Sequence, residues 1–382
     1  MTAGADCPAL KYLAAALAAL ALAMAATAVR AQQSQVSVNQ DCIAFAFSPD
    51  GQRIAYAVRR ISRVKRELIE HDDIEEVSAS GGHGRQLMDG AKMFEAGAKA
   101  APFSYTIHSL RYSPDGRRLT VELYAQAFTL RTEPGHGKNA KPTQVVVPSG
   151  KGAEMTLLLD ADGKEIKIAA TGKSTLENAF DATWLASGAT VAYLTEPKNG
   201  TLYGLASLDP STGKATPLMP AHGYLAVAWD PARNAAVAIE PSDQPNRPPS
   251  LVRIDLLGQT EQALAPIDDY ASHLTLSPDG AKVAYFADGQ TLVIRDAANP
   301  ARSARITVPM GRFEWAPDDA HLLLKRGPDE QTDQLLWVGV ADGQFGQVLH
   351  GLIYHDFHVS PNGRSVAVTE PGSHALRVFP LP

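Results

Sequence analysis

The sequence predicts an all-β fold, a single seven-bladed β-propeller whose blades are four-stranded antiparallel sheets. Three observations predict it: a turn motif that recurs along the chain, the spacing of that motif, and unpaired strands left over at the two ends. The motif resembles Ser-Pro-Asp-Gly, follows one short apolar segment and precedes a second. Its seven copies begin at residues 47, 112, 184, 229, 276, 315 and 359.

Each copy predicts the tight corner of a β-hairpin. In Phe47-Ser48-Pro49-Asp50-Gly51, proline presets the backbone of the second turn position and the aspartate side chain caps the turn. Glycine accepts the left-handed conformation that returns the chain antiparallel. Four copies are clean, and the three that begin at Trp184, Trp229 and Trp315 are decayed.

The spacing of the corners predicts propeller blades. Successive motifs start 65, 72, 45, 47, 39 and 44 residues apart, close to the period of roughly 40–50 residues of four-stranded blades. The two longest spacings indicate insertions in the first and second units. The 351 residues after position 31 suit one closed ring of seven units, with no room for a separate catalytic domain.

Every corner leads into an apolar second strand, and the β-branched and aromatic residues there favour strand over helix. We expect these strands at 54–58, 119–123, 191–194, 235–239, 283–286, 322–325 and 365–369. Third strands and a second hairpin corner follow in the first six units. Those corners are marked by glycine or asparagine at 80–82, 162–163, 212–213, 257–258, 298–299 and 342–343.

The seventh unit is short of one strand. Residues 375–379 can form its third strand, but the chain ends at Pro382 without a fourth. Residues 36–38 precede the first unit and have no unit of their own. We therefore expect this N-terminal strand to pair in the last blade, close the ring and cover an edge that would otherwise invite aggregation.

The first 31 residues predict a secretory signal peptide rather than part of the fold. Lys11 precedes an apolar run at 12–29, and a small-residue cleavage site ends at Ala31. The alternative is an uncleaved anchor, because an apolar run of 18 residues barely spans a bilayer. We expect cleavage and a periplasmic or secreted protein, with the propeller at 32–382. Only Cys42 would then remain, so no intrachain disulfide is expected.

The charge balance argues against nucleic acid as a partner. The formal net charge is −6, and it becomes −7 without the signal peptide. A mildly acidic chain is a poor binder of a polyanion.

With its Ser-Pro-Asp-Gly corners, the chain resembles the TolB-like, WD40-like propeller repeats. Similar repeats build the propeller domains of prolyl-oligopeptidase-type peptidases. The resemblance covers 33–382 and implies a seven-bladed ring and, with the signal peptide, a bacterial envelope or secreted protein. The sequence contains no Gly-x-Ser-x-Gly elbow, so the hydrolase part of such peptidases is missing.

Three long segments are predicted to lie beside each other on one face of the ring. They are 59–72 and 128–152, between the second and third strands of the first two units, and 89–105, between those units. Blade topology places both kinds of connection on the same face. Loops on a rigid scaffold often carry binding, and the alternative is a set of tolerated surface insertions.

The sequence contains no complete catalytic motif, and we expect no cofactor and no metal. His355 and His358 are three residues apart on a predicted strand. Side chains at that spacing point to opposite faces, so the two histidines are not expected to ligate one ion.

Aligning the seven innermost strands by their corners predicts a channel. Two residues before each motif start lies an apolar row, expected to form the core between blades. Three residues before lies a polar arc of Asp181, His273, Arg312 and Asp356, expected at the channel mouth. The alternative role is hydrogen bonding between blades, for example between Arg312 and Asp356.

From the sequence, we therefore expect an exported, non-enzymatic propeller that binds a protein or peptide partner on the face with the long loops. If the mouth binds a ligand, the polar arc is the expected site. The alternative is a channel-mouth enzyme, a metal-dependent lyase or lactonase-like hydrolase that acts on a small or saccharide substrate. We expect a monomer with no membrane span after cleavage.

Overall fold

The computed structural model describes residues 36–381, with gaps at 39, 65–66, 93–102, 134–142, 196–201, 221, 245–246, 268–270, 300–301, 309–310, 327–333, 342, 351–355 and 371–374. The predicted signal peptide and His355 lie outside the described residues. Helical structure is almost absent from the described part, and no helix there has the length and apolarity needed to cross a bilayer.

Seven four-stranded antiparallel sheets form the blades of the propeller, which confirms the predicted fold. Blade 1 contains β2 (Cys42–Phe47), β3 (Arg53–Val64), β4 (Glu67–Ser78) and β5 (Arg85–Met88). Blade 2 contains β6 (Phe103–Tyr112), β7 (Arg118–Glu133), β8 (Thr143–Asp160) and β9 (Thr175–Glu177). Blade 3 contains β10 (Ala179–Trp184), β11 (Val191–Thr195), β12 (Gly204–Asp209) and β13 (Lys214–Leu218).

The remaining blades follow the same order. Blade 4 contains β14 (Ala226–Asp230), β15 (Ala235–Glu240), β16 (Ser250–Asp255) and β17 (Thr260–Pro266). Blade 5 contains β18 (Ser272–Leu276), β19 (Lys282–Phe286), β20 (Thr291–Asp296) and β21 (Ser303–Thr307). Blade 6 contains β22 (Phe313–Trp315), β23 (His321–Arg326), β24 (Gln334–Gly339) and β25 (Phe345–His350). Blade 7 contains β26 (Phe357–Val359), β27 (Ser365–Thr369), β28 (Leu376–Pro380) and the N-terminal strand β1 (Val36–Val38).

The two ends of the chain close the ring, as the sequence predicts. Strand β1 pairs antiparallel with β28, with Val36 opposite Val378 and Val38 opposite Leu376. The pairing completes the fourth strand of blade 7. It also covers the edge that β28 would otherwise expose.

The corners are held by the side chains of the motif. In the first corner, the Asp50 carboxylate accepts the backbone N–H of Gln52 at 3.0 Å, and the Ser48 hydroxyl accepts that of Arg53 at 3.0 Å. Gly51 takes a φ of +67°, which explains why glycine is needed there. In the decayed corners of blades 4 and 6, Asn234 and Asp319 take the left-handed conformation instead.

The hydrophobic core is divided among the interfaces between blades. Seven buried clusters each join two neighbouring blades, and one of them joins blade 7 to blade 1. The apolar row predicted from the corners lies in these clusters. Six of its members are buried and Val227 is half-buried: Phe45, Leu110, Ala182, Leu274, Phe313 and Phe357.

Two of the predicted long loops are paired strands. Strands β3 and β4 run together as far as the pair Val64 and Glu67, and β7 and β8 as far as Glu133 and Thr143. We call these hairpin extensions ribbon 1 (59–72) and ribbon 2 (124–153). An insertion long enough to fold back satisfies its own backbone N–H and C=O groups by pairing, which an open loop would leave to water.

Candidate functional site

A central channel is lined by the first strand of several blades. Its cavity of about 510 Å³ is bounded by side chains from β6, β10, β14, β18 and β22. Asp181, a member of the predicted arc, lies in this lining together with Arg111, Thr183 and Glu314. The channel lining is therefore polar at several positions, whereas the interfaces between neighbouring blades are apolar.

The first charged group joins blades 2 and 3. The Arg111 guanidinium donates to the Asp181 carboxylate at 2.7 Å, and the Glu122 carboxylate accepts the backbone N–H of Ala182 at 2.8 Å. Burial raises the pKa of Glu122, and the positive charge of Arg111 offsets this only in part. Asp181 therefore belongs to an ion pair between blades.

The second charged group joins blades 6 and 7. Arg312 forms an ion pair with Asp356, the contact between neighbouring blades named as the alternative role for these residues. Arg312 also lies 3.3 Å from the Nε2 atom of His358, whose Nδ1 atom lies 3.2 Å from the Glu314 carboxylate. A chain of four side chains thus runs from Asp356 through the exposed Arg312 and His358 to Glu314 in the channel lining.

The four residues of the predicted arc do not form one constellation. His273 is exposed and packs edge-on against Phe286 at a ring separation of 6.2 Å, away from the two charged groups. The reason is a β-bulge at the start of β18 and another in β10. His273 and Asp181 take positive φ values of +55° and +47°, so simple alternation along the strand does not set where they point.

Sequence reasoning missed the roles of four charged residues in these groups: Arg111, Glu122, Glu314 and His358. Arg111, Glu314 and His358 lie one residue before a motif start. Alternation places this position on the same strand face as the position three residues before the motif start, where the arc was expected. The same alignment could therefore have found them.

Two buried polar atoms near the channel have no hydrogen-bond partner among the described residues. They are the hydroxyl of Thr183 and the indole N–H of Trp229. At the equivalent positions of blades 5 and 6, the indole N–H of Trp315 donates to the Thr275 hydroxyl at 3.1 Å. Buried polar groups are normally paired, so the channel can hold water or a polar ligand beside blades 3 and 4.

The base of ribbon 1 is built into the interface between blades 1 and 2. Asp72 is fully buried, and its carboxylate accepts the backbone N–H of Ile107 at 2.7 Å and the guanidinium N–H of Arg59 at 3.2 Å. The neighbouring Asp73 accepts the N–H of Gly90 at 2.8 Å. These contacts fix the direction in which ribbon 1 leaves the ring.

The charges of ribbon 1 compensate one another across its two strands. Arg59 pairs with Glu70 at 2.9 Å, and Arg60 pairs with Asp73 at 3.4 Å. One large apolar side chain interrupts this pattern, because Ile61 is 70% exposed. Ribbon 1 therefore presents a hydrophobic contact point within a neutralised charged surface.

Among the described residues, one group of three side chains could hold a metal ion: His222, Glu240 and Glu261. It lies between blades 3 and 4, outside the channel lining. The sequence interpretation, which expected no metal, did not single out these residues.

Comparison with known proteins identifies the fold. The β-propeller domain of Cps50 (Swd1) from Myceliophteria thermophila is similar with a TM-score of 0.56 and 11% identity, over 92% of this chain and 99% of that one. The Dos1 propeller is similar with a TM-score of 0.52 and 11% identity, over 91% and 94%. These neighbours are WD40-type seven-bladed β-propellers, and the chain shares their fold. No family model and no curated protein matches the sequence.

Proposed function

We propose that this protein is an exported, non-enzymatic propeller of the bacterial cell envelope that binds a protein or peptide partner on the face with the two ribbons. The main observation in support is that both ribbons continue the second and third strands of adjacent blades. They therefore leave the ring side by side. The Ser-Pro-Asp-Gly corners support a TolB-like repeat. The fold is consistent with an interaction scaffold.

The ribbons form an extended surface that is already ordered before a partner binds. Strand β7 has 16 residues, whereas β11 has 5 and β15 has 6. The excess of about 10 residues corresponds to an extension of roughly 33 Å at about 3.3 Å per residue. Because buried Asp72 already orders the base of ribbon 1, less conformational entropy is lost when a partner binds.

The outer edge of ribbon 1 offers backbone groups as well as side chains. Strand β5 pairs with β4 only at 74–76, and His71, Asp72 and Asp73 are buried at the base of the ribbon, so 67–70 of β4 extend past both. An extended peptide can add to such an edge as a further strand. The charged side chains on this strand limit nonspecific pairing of the same edge.

The charged groups of the channel favour a structural role over catalysis. Asp181 is paired with Arg111, and Asp356 with Arg312. Each pair joins two blades, which accounts for these residues without a substrate.

Removing ribbon 2 tests the proposed binding face. Replacing 128–150 with an Asn-Gly turn between Ala127 and Lys151 keeps the pairing of β6 with β7 and supplies a favoured hairpin turn. We expect this variant to keep its melting temperature and lose capture of partners from an envelope extract. Leu257→Asp, on a corner of the opposite face, is the control and should capture them normally. Equal capture by both variants would contradict the proposal.

Export is tested on protein recovered from the cell envelope. We expect amino-terminal sequencing to begin at Gln32, because the apolar run ends in a small-residue cleavage site at Ala31. An intact Met1, or a pool confined to the cytosol, would contradict export.

A further inference from the structure

We propose that His222, Glu240 and Glu261 form a binding site for one divalent first-row metal ion, with Zn²⁺ as the best match to the donor set. The proposal is independent of partner binding on the ribbons. It assigns a ligand to a side-chain cluster that the proposed function does not use.

The three donor atoms lie close to the separations that a small divalent ion requires. All three lie within 4.8 Å of one another. The Nδ1 atom of His222 is 2.7 Å from a carboxylate oxygen of Glu240 and 3.6 Å from one of Glu261. In a tetrahedral Zn²⁺ site, ligand bonds of about 2.0–2.2 Å place neighbouring donor atoms roughly 3.3–3.6 Å apart. Small side-chain rotations therefore suffice to bring the three atoms around an ion.

The donor set selects the class of ion. One imidazole nitrogen and two carboxylate oxygens suit Zn²⁺ and related first-row ions, whereas Mg²⁺ and Ca²⁺ prefer oxygen donors alone. Two carboxylates and one neutral imidazole carry a net charge of −2, which an ion of charge +2 neutralises. Without a metal, a protonated His222 leaves the group with one uncompensated negative charge.

A second layer of contacts orients the ligands. The hydroxyl of Tyr224, whose side chain is fully buried, donates to the Glu261 carboxylate at 2.6 Å. The His222 ring stacks on the Tyr224 ring at 6.4 Å with an interplanar angle of 10°. Partners of this kind hold metal ligands in position and are a regular feature of metal sites.

The backbone around the histidine is also fixed. The N–H of His222 donates to the carbonyl of Met219 at 3.0 Å, and Tyr224 exchanges two backbone hydrogen bonds with Tyr203. Met219 has a φ of +48°, a conformation that costs energy for a residue with a side chain. The loop from blade 3 to blade 4 is therefore held in a shape that brings His222 over the edge of blade 4.

A cavity borders the site at His222. A cavity of about 470 Å³ reaches His222 and Gly223 and extends along blade 3 to Thr195 and Leu202. Three protein ligands leave a tetrahedral ion with one open position. Water or a small anion in this cavity can occupy that position.

Zn²⁺ titration into metal-free protein tests the site. We expect calorimetry to show one Zn²⁺ per chain, and Co²⁺ in its place to give the visible absorption of a tetrahedral site. His222→Ala and Glu240→Gln should each weaken Zn²⁺ binding at least tenfold while the metal-free proteins keep the wild-type circular dichroism.

His321→Ala is the matched control. The His321 side chain is as exposed as that of His222 and lies 2.6 Å from a single carboxylate, that of Asp318. This variant should bind Zn²⁺ as the wild type does. Absence of Zn²⁺ binding by the wild type, or unchanged affinity in both His222→Ala and Glu240→Gln, would overturn the proposal.

Discussion

Replacing Glu76 with alanine is expected to lower the free energy of unfolding by roughly 2–4 kcal/mol. Glu76 is only 5% exposed, and its carboxylate accepts hydrogen bonds from Arg53 at 2.9 Å, Arg85 at 2.8 Å and the Tyr112 hydroxyl at 2.7 Å. The substitution leaves the buried hydroxyl without an acceptor. The two arginines are partly exposed and can turn to water, which keeps the loss below that of a fully buried ion pair.

Glu70→Ala is the matched control for this effect. Glu70 lies on the same strand and also pairs with an arginine, but its side chain is 56% exposed. We expect a change within about 0.5 kcal/mol, as for other surface ion pairs. Adding Tyr112→Phe to Glu76→Ala should recover part of the loss, because it removes the stranded hydroxyl. Equal urea unfolding curves for Glu76→Ala and Glu70→Ala would contradict this account of the interface between blades 1 and 2.

Removing the N-terminal strand is expected to have the second large effect. A chain that starts at Asp41 lacks β1, so β28 loses the pairing at Val36, Ser37 and Val38. Leu376 and Val378, which are fully buried in the cluster between blades 7 and 1, would then lie on an open edge. Each apolar side chain exposed costs roughly 1.5–3 kcal/mol.

A thermal melt measures this loss of closure. We expect the chain that starts at Asp41 to melt roughly 5 °C or more below one that starts at Gln32, and to aggregate more readily on heating. Identical melting temperatures would mean that the ring does not depend on β1.

The architecture could be predicted because its determinants are local and repeated. The corner at Ser48 to Gly51 is specified within four residues, and its spacing along the chain counts the blades. The role of residues 36–38 followed from the strand that the last blade lacked. Both predictions needed only the turn chemistry of individual residues and the topology of a closed ring.

The candidate functional site was harder to predict from the sequence, because it depends on contacts between segments that are distant along the chain. A bulge at His273 takes this side chain out of the channel lining, whereas Asp181 stays in the lining despite a bulge in β10. A bulge cannot be read from alternation. The sequence interpretation places 128–152 in a loop, although Val145, Val146 and Val147 are residues typical of strands. The metal-ligating group joins residues 18 and 39 positions apart in the sequence, from a loop and two strands.

Site-specific photocrosslinking in cells tests partner binding on the ribbon face most directly. Ile61 on ribbon 1 and Leu257 on a corner of the opposite face are both large apolar residues with 70% of their surface exposed. A photoreactive amino acid at each position therefore samples the two faces under matched conditions. The proposed function predicts a discrete crosslinked partner band from position 61 and none from position 257. The same band from both positions, or a band from position 257 alone, would contradict it.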